Sequence, residues 1–180
     1  MNETYKLTLD KPFAYEGEEW TAMEFDFGKL TGKDAMEIEN EMDMRGMGPI
    51  QNEATDGMYQ ILAASKASGI AEDVLKALPL KKNMAIKRAA RRYLINGSSA
   101  LAEELQGKLE EMSGAEAEII ENELRAEGYV MVNIPAADTK FCTKLAARGL
   151  DKTEKELGEL PMDEFLNIKM AVRFFLIGVV

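Results

Sequence analysis

Side chains that could carry out chemistry are concentrated in an acidic stretch near the end of the first quarter of the chain, which is echoed later. Carboxylates on facing helices can hold two metal ions, but such sites normally also use histidines at Glu-x-x-His spacing. The chain contains no histidine, so we expect neither a metal site nor a cofactor. The carboxylates of the stretch are Glu37, Glu39, Glu41 and Asp43, and those of its echo are Glu118, Glu121 and Glu123.

The other reactive groups also point away from catalysis. Without histidine the chain lacks the usual acid–base group near neutral pH and the usual partner of a nucleophile. Cys142, the single cysteine, lies close to Phe141 and Leu145 in a predicted helix, where a buried apolar role is expected. Gly46-Met47-Gly48-Pro49 lacks the spacing of a phosphate-binding loop. We therefore predict that the chain is not an enzyme.

One basic cluster lies in a predicted helix over residues 81–95. Most of its side chains share one flank of the helix, while Ile86, Ala90 and Tyr93 share another. The cluster could dock an acidic partner or nucleic acid. We favour a solvated face, or pairing with the acidic first helix of the same module, because charged surface residues are usually solvated. The basic residues are Lys81, Lys82, Lys87, Arg88, Arg91 and Arg92.

Composition excludes several classes of protein. The net charge of -10 argues against nucleic acid and against an anionic membrane surface as partners. The most apolar run, residues 174–180, is far shorter than the roughly 20 residues that span a bilayer, and the start has no signal-peptide pattern. With 180 residues, the chain is one domain or two small ones in the cytosol.

Residues 5–27 predict a β-hairpin, because apolar and polar residues alternate along two runs. Pro12 and the pair Thr21-Ala22 interrupt the alternation, so we expect irregularities there. Glu16-Gly17 is the predicted turn. We favour packing of the hairpin on helices of its own chain over a dedicated docking strand.

Helices follow the hairpin. Thr31 and Asp34 resemble a capping box, which predicts a helix over 32–45 that Gly46, Gly48 and Pro49 end. Further helices are predicted over residues 53–68, ended by Gly69, over 72–77, and over 81–95, ended by Asn96-Gly97. Residues 98–112 predict a helical connector.

The pattern then repeats. Ile38-Glu39-Asn40-Glu41-Met42 is echoed by Ile120-Glu121-Asn122-Glu123-Leu124, and the helix start at Thr31 by Ser113, each 82 positions later. Gly69 matches Gly149 at a spacing of 80, so we expect both glycines to stop a helix and a length change in the loop after the first helix. Each copy is interpreted as the same capped helical unit.

The predicted fold is mainly α with an N-terminal β-hairpin (α+β) and two tandem related helical modules. The hairpin and the first module occupy residues 1–97, the helical connector 98–112, and the second module 113–180.

The order of parts resembles the tail assembly chaperones of tailed bacteriophages. Residues 7–18, Leu-Thr-Leu-Asp-Lys-Pro-Phe-Ala-Tyr-Glu-Gly-Glu, are similar to the "strand, Lys-Pro, aromatic, Glu-Gly" opening of that family. Residues 30–39 are similar to its acidic first helix, and residues 63–70 with Leu78-Pro79 to its middle helix and following loop. Such chaperones normally carry one module, whereas this chain carries two.

The resemblance implies a non-catalytic role in the host cytoplasm. Such proteins coat the tape-measure protein, keep it soluble, bring tail-tube subunits to it, and are absent from the finished virion. The alternative is a virion or regulatory protein built on the same module. The partners implied are the tape-measure protein, the tail-tube protein and a second copy of the chain, without nucleic acid or membrane. The candidate partner-binding residues are Trp20, Phe25, Phe27, Lys87, Arg88, Arg91, Arg92, Phe174 and Leu176.

Methionine is a second candidate for contacts with a partner, because its flexible thioether side chain adapts to irregular apolar surfaces. The chain has 12 methionines, many of them in the first copy. Ordinary core filling is an equally good explanation of them.

Overall fold

The computed structural model describes residues 4–47, 50, 52–95, 99–130 and 135–178. It confirms a mainly helical chain with an N-terminal antiparallel hairpin. The predicted breaks at Gly48-Pro49 and at Asn96-Gly97 lie outside the described residues. In chain order the elements are β1 (Thr4–Tyr15), β2 (Glu18–Asp26), α1 (Gly32–Met44), α2 (Gly57–Ser68), α3 (Glu72–Ala77), α4 (Leu80–Leu94), α5 (Ala100–Glu111), α6 (Gly114–Ala126), α7 (Thr139–Gly149), α8 (Glu154–Gly158) and α9 (Met162–Ile177).

The chain forms two compact units whose boundaries differ from the predicted division. Unit 1 comprises Met1–Leu30 and Asn52–Asn96, and unit 2 comprises Thr31–Gln51 and Gly97–Val180. The difference lies in α1, which packs on α8 and α9 instead of completing the first module. A sequence repeat records that two segments are related, but it does not decide which helix packs with which copy.

The hairpin of unit 1 is irregular at the places the sequence indicates. Its register shifts between Thr8 and Phe13 on β1, opposite Thr21 on β2. The turn at Glu16-Gly17 has positive φ values of 48° and 89° at its two central residues, as a tight two-residue hairpin turn requires.

The hairpin packs on helices of its own unit, as favoured from the sequence. Leu7, Met23, Phe25 and Phe27 are buried, and β2 contacts α2 while β1 contacts α4. The rings of Phe27 and Tyr93 lie 5.7 Å apart, which joins the end of the hairpin to α4. The alternating residues of β1 and β2 therefore supply the apolar face that two strands alone could not stabilise.

The repeat extends to the local structure of the helix ends. Thr31 and Ser113 both form capping boxes, with Asp34 and Glu116 as the third residue of each helix. Gly46 has φ 70° after α1, and 82 positions later Gly128 has φ 76° after α6. In both helices the amide that follows the glycine reaches back to a carbonyl five residues earlier, so α1 and α6 end in the same glycine cap.

The predicted role of Gly149 and the predicted length change are wrong. Gly69 does end α2 in the left-handed conformation, with φ 74°, but its counterpart is Asp151, with φ 52°, at the constant spacing of 82. Gly149 is the last residue of α7 and is not in the left-handed conformation, and a Cβ there would come within 2.5 Å of Leu105 Cδ1. The lack of a side chain at Gly149 permits close packing of α5 on α7. The glycine does not serve as a helix stop.

Unit 2 is centred on α9, which contacts α5, α1 and α7. The start of α1 lies very close to the start of α9: the Gly32 amide donates to the Leu160 carbonyl at 2.8 Å, and Thr31 forms a bridge with Pro161. A Cβ on Gly32 would come within 2.8 Å of the Phe165 ring. Glycine is therefore required for this approach of α1 to α9.

Candidate protein-binding surfaces

The first candidate surface is an aromatic cluster beyond the irregularity of the hairpin. Phe13 and Trp20 are paired across the strands with ring centroids 6.2 Å apart, and the Phe13 and Tyr15 rings are 6.5 Å apart. The three side chains are half-buried, whereas Phe25, nearer the strand ends, is fully buried. We call Phe13, Tyr15 and Trp20 the hairpin cluster.

A hollow of about 350 Å³ adjoins the hairpin cluster. Its lining combines apolar residues with the carboxylates of Glu16 and Glu18, which suits an apolar side chain flanked by a basic group. The lining residues are Tyr15, Glu16, Glu18, Trp20, Gly69, Ile70, Ala71 and Val74.

The second candidate surface is a stripe along α4. Leu80, Met84, Lys87 and Arg91 follow at intervals of four, three and four, which places them on one face of the helix. Leu80 is 77% exposed and Met84 45% exposed. The opposite face of α4 packs in the core of unit 1 through residues such as Ile86 and Ala90. We call these four residues the α4 stripe.

Of the cationic groups of α4, Lys82 pairs with Asp10 of the hairpin at 3.1 Å, whereas the four predicted binding residues are uncommitted within the described part of the chain. There, none of the predicted binding residues Lys87, Arg88, Arg91 and Arg92 forms an ion pair, and the Arg88 side chain only donates to the Met84 carbonyl at 3.3 Å. The acidic first helix belongs to unit 2, so its pairing with this basic cluster stays a prediction.

The carboxylates of α1 are bound elsewhere. Glu37 pairs with Lys33, Glu41 with Arg45, and Glu39 with Lys169 of α9. The first two pairs are local contacts along the surface of α1. Glu39 is the carboxylate of this set that reaches another helix, and that helix belongs to the second copy.

The α9 stripe is the counterpart of the α4 stripe and is buried. Met162, Leu166, Lys169 and Arg173 occupy the same positions 82 residues later, and α1 packs against this helix. Met162 is 0% exposed and Leu166 7%. The Lys169 ammonium donates to the Glu39 carboxylate, and Arg173 Nη2 donates to the Ile50 carbonyl at 3.0 Å.

The remaining predicted binding residues divide between core and surface. Phe25 and Phe27 are core residues, because their side chains point from the hairpin towards the helices of unit 1, so neither can anchor a partner. Phe174 is exposed on α9 and Leu176 is half-buried. Trp20, in the hairpin cluster, keeps part of its ring accessible.

The methionines divide between the core and the surface. Met23 and Met42 are buried, whereas Met44, Met47 and Met84 are exposed. Core filling therefore accounts for some of them, while the exposed thioethers offer soft apolar surface to a partner.

The buried ion pair between Glu39 and Lys169 was not predicted. A signal for it exists in the sequence, because Lys169 follows Ile168 in the largely apolar last helix and matches Lys87 of the basic cluster. Cys142, also buried in unit 2, has a pKa raised to about 11, chiefly because burial disfavours the thiolate. The thiol is therefore protonated at neutral pH.

The described residues contain neither a spanning helix nor a metal cluster. Across those segments, no helix combines the length and apolarity that crossing a membrane requires. The same segments hold no group of three cysteine, aspartate or glutamate side chains arranged to bind a metal ion.

Comparison with known proteins found no relative for this chain. No protein-family model, curated protein or solved structure matches it.

Proposed function

We propose that the chain is a non-enzymatic tail assembly chaperone that binds a phage tape-measure protein, keeps it soluble and brings tail-tube subunits to it. The proposal rests on the resemblance of residues 7–18 to the opening of that family. In this reading the protein acts in the host cytoplasm and is absent from the virion.

The observation that carries the proposal is the hairpin cluster. The family-like opening forms β1 and the turn, and its aromatic residues Phe13 and Tyr15 lie with Trp20 beside a hollow. Half-exposed aromatic rings are frequent anchors at protein–protein contacts, because they bury much apolar area at little entropic cost. The hollow is the place where an apolar side chain of the client would bind.

The charge of the chain supports the same role. A long helical client with apolar faces aggregates unless its surface is covered, and a strongly charged cover keeps the complex in solution. The net charge of -10 gives every bound copy this repulsive effect.

Co-expression with the tape-measure protein of the same phage tests the proposal. We expect the tape-measure protein to be soluble with the wild-type chain and to become insoluble with Trp20→Ala. Glu19→Ala is the matched control, because Glu19 is exposed on the same strand. Circular dichroism of the purified variants checks that both are folded.

A tape-measure protein that is equally soluble without the chain contradicts the proposal. Mass spectrometry of purified virions separates the chaperone from the alternative, since a virion protein would be found in the particle.

A further inference from the structure

The starting point is the way in which unit 2 binds its own α1. Three contacts define the docking: Gly32 approaches the start of α9, Glu39 pairs with Lys169, and Arg173 holds the carbonyl of Ile50. The apolar and basic residues of α9 thus recognise two features of an acidic helix. These features are a small residue at the start of the helix and a carboxylate two turns later.

The α4 stripe repeats that receptor without being covered. Lys87 and Arg91 correspond to Lys169 and Arg173, and both basic groups lie in line with exposed apolar residues of α4. A stripe that combines apolar and cationic groups in this order has a known occupant in unit 2, which is an acidic helix of the α1 type.

Helix α6 repeats the ligand, and the start of its docking side is open, while Glu121 on that side holds an ion pair with Arg125 at 2.9 Å. Gly114, Ala117 and Glu121 correspond to Gly32, Ala35 and Glu39. A Cβ built on Gly114 meets nothing within 4 Å, whereas one on Gly32 meets Leu157 O at 2.7 Å. Ile120 and Leu124, on the adjacent side of α6, are buried in unit 2 and hold the helix in place, while Gly114 is exposed and Ala117 and Glu121 are half-buried.

We propose that α6 of one copy of the chain docks on the α4 stripe of a second copy, in the manner in which α1 docks on α9. Glu121 would then pair with Lys87, and Gly114 would lie against the start of α4. Charge complementarity favours the contact, since the glutamates of α6 outnumber its one arginine and α4 presents Lys87 and Arg91 in the stripe. Each copy offers one such helix and one stripe, so two copies can exchange both contacts in a closed dimer, and more copies can form a ring or a filament.

Sedimentation equilibrium of the purified chain over the micromolar to millimolar range tests this contact without any client protein. The wild type is expected to associate, and Gly114→Leu to weaken association by about tenfold or more, equivalent to ~1.4 kcal/mol. Gly107→Leu is the matched control, because Gly107 is also a helical glycine whose added Cβ would meet nothing within 4 Å. It should associate as the wild type does.

A charge exchange supplies a second measurement. Glu121→Lys and Lys87→Glu should each weaken association, and an equimolar mixture of the two variants should restore it, because both contacts between unlike copies then join opposite charges. The weakening should be largest at low salt.

Three results would overturn the proposal. They are a wild type that stays monomeric throughout the range, equal behaviour of Gly114→Leu and Gly107→Leu, and a Gly114→Leu effect on monomer stability without any on association. The last result would show that the Gly114 side of α6 packs within its own copy. Because no client protein is present, the outcome is independent of the co-expression experiment.

Discussion

Helices α4 and α9 carry the same stripe but differ in what covers it. Leu80, Met84, Lys87 and Arg91 are exposed or half-exposed in unit 1, while their counterparts in unit 2 are buried under α1. The residue types are almost unchanged, so the difference is made by the neighbouring helix. A duplicated sequence thus yields a structural core in one unit and an available surface in the other.

The lysines at equivalent positions show how strongly the surroundings determine a side chain's contribution. Lys169 is buried and bonded to a buried carboxylate, whereas Lys87 is half-buried and has no acidic partner among the described residues. A buried charge is tolerated only when it has a partner, so Lys169 depends on Glu39. Lys87 is half-buried and depends on no single group.

The largest expected effect comes from breaking that buried pair. Lys169→Ala should destabilise the protein by about 3–5 kcal/mol, because it leaves the Glu39 carboxylate buried without its lysine. Lys87→Ala should change stability by about 0.5 kcal/mol or less. Urea unfolding followed by circular dichroism measures both. If the two variants lost equal stability, burial would not distinguish the two stripes.

A double replacement tests whether the charges themselves or only their pairing matter for stability. Glu39→Leu combined with Lys169→Met removes both charges and keeps apolar volume, and it should recover most of the loss. A double variant as unstable as the single one would show that the helices depend on the ion pair itself.

The next effect compares the starts of α1 and α6. Gly32→Ala should cost about 1–3 kcal/mol, because the added Cβ would meet the backbone oxygen of Leu157 and the Phe165 ring at less than 3 Å. Gly114→Ala should instead stabilise by about 0.4–1 kcal/mol, since its Cβ has room and the unfolded chain loses freedom. Thermal unfolding measures the change in stability of each variant. Changes of the same sign in the two variants would contradict the assignment of α1 as docked and α6 as open.

A smaller effect tests the corrected alignment of the two copies. Gly69→Ala should cost about 1–2 kcal/mol, because φ 74° is unfavourable for a residue with a Cβ. Asp151→Gly should change stability by only about 0.5 kcal/mol, since aspartate already adopts φ 52° there. Chemical unfolding measures both, and a large gain from Asp151→Gly would indicate strain that the alignment does not predict.

Local patterns in the sequence predicted most of the elements. The capping box at Thr31, the glycine end at Gly69 and the alternation of the hairpin all depend on neighbouring residues, and all were found. The second helix is shorter than predicted because Asp56 caps it: its carboxylate accepts hydrogen bonds from the amides of Met58 and Tyr59.

Tertiary choices were not predictable in the same way. The sequence of α1 suits either α4 or α9, because both carry the same stripe, so local patterns could not assign α1 to unit 2. The burial of Phe25 likewise depends on which helices cover the hairpin. For Gly149, a glycine near a helix end has two physical uses, and only the approach of Leu105 reveals the packing role.

Gln60 and Cys142 occupy equivalent positions and both approach a backbone carbonyl, although their side chains differ in chemistry. Gln60 Nε2 donates to the Ala54 carbonyl at 2.6 Å, and 82 positions later Cys142 Sγ lies 3.8 Å from the Ala136 carbonyl. The cysteine makes the weaker contact, so its removal should matter little at neutral pH. Its titration, however, gives unit 2 a dependence on pH that the glutamine cannot give unit 1.

The last and smallest effect follows from that titration. Burial raises the Cys142 pKa from 9.0 to about 11, with Asp138 and Glu39 also raising it and with Arg173 and Lys169 opposing. Below pH 9 both the folded and the unfolded state hold the proton, so the contribution to stability is constant there. Between pH 9 and about 11 the unfolded chain loses the proton first, so stability should fall as the pH rises.

Cys142→Ala isolates this component, because lysines and tyrosines titrate equally in both proteins. Urea unfolding from pH 8 to 11 should show a steeper decline for the wild type than for the variant, with a constant difference below pH 9. Parallel curves would mean that the thiol is as solvated in the folded state as in the unfolded chain, and that the two units differ less at this position than their burial indicates.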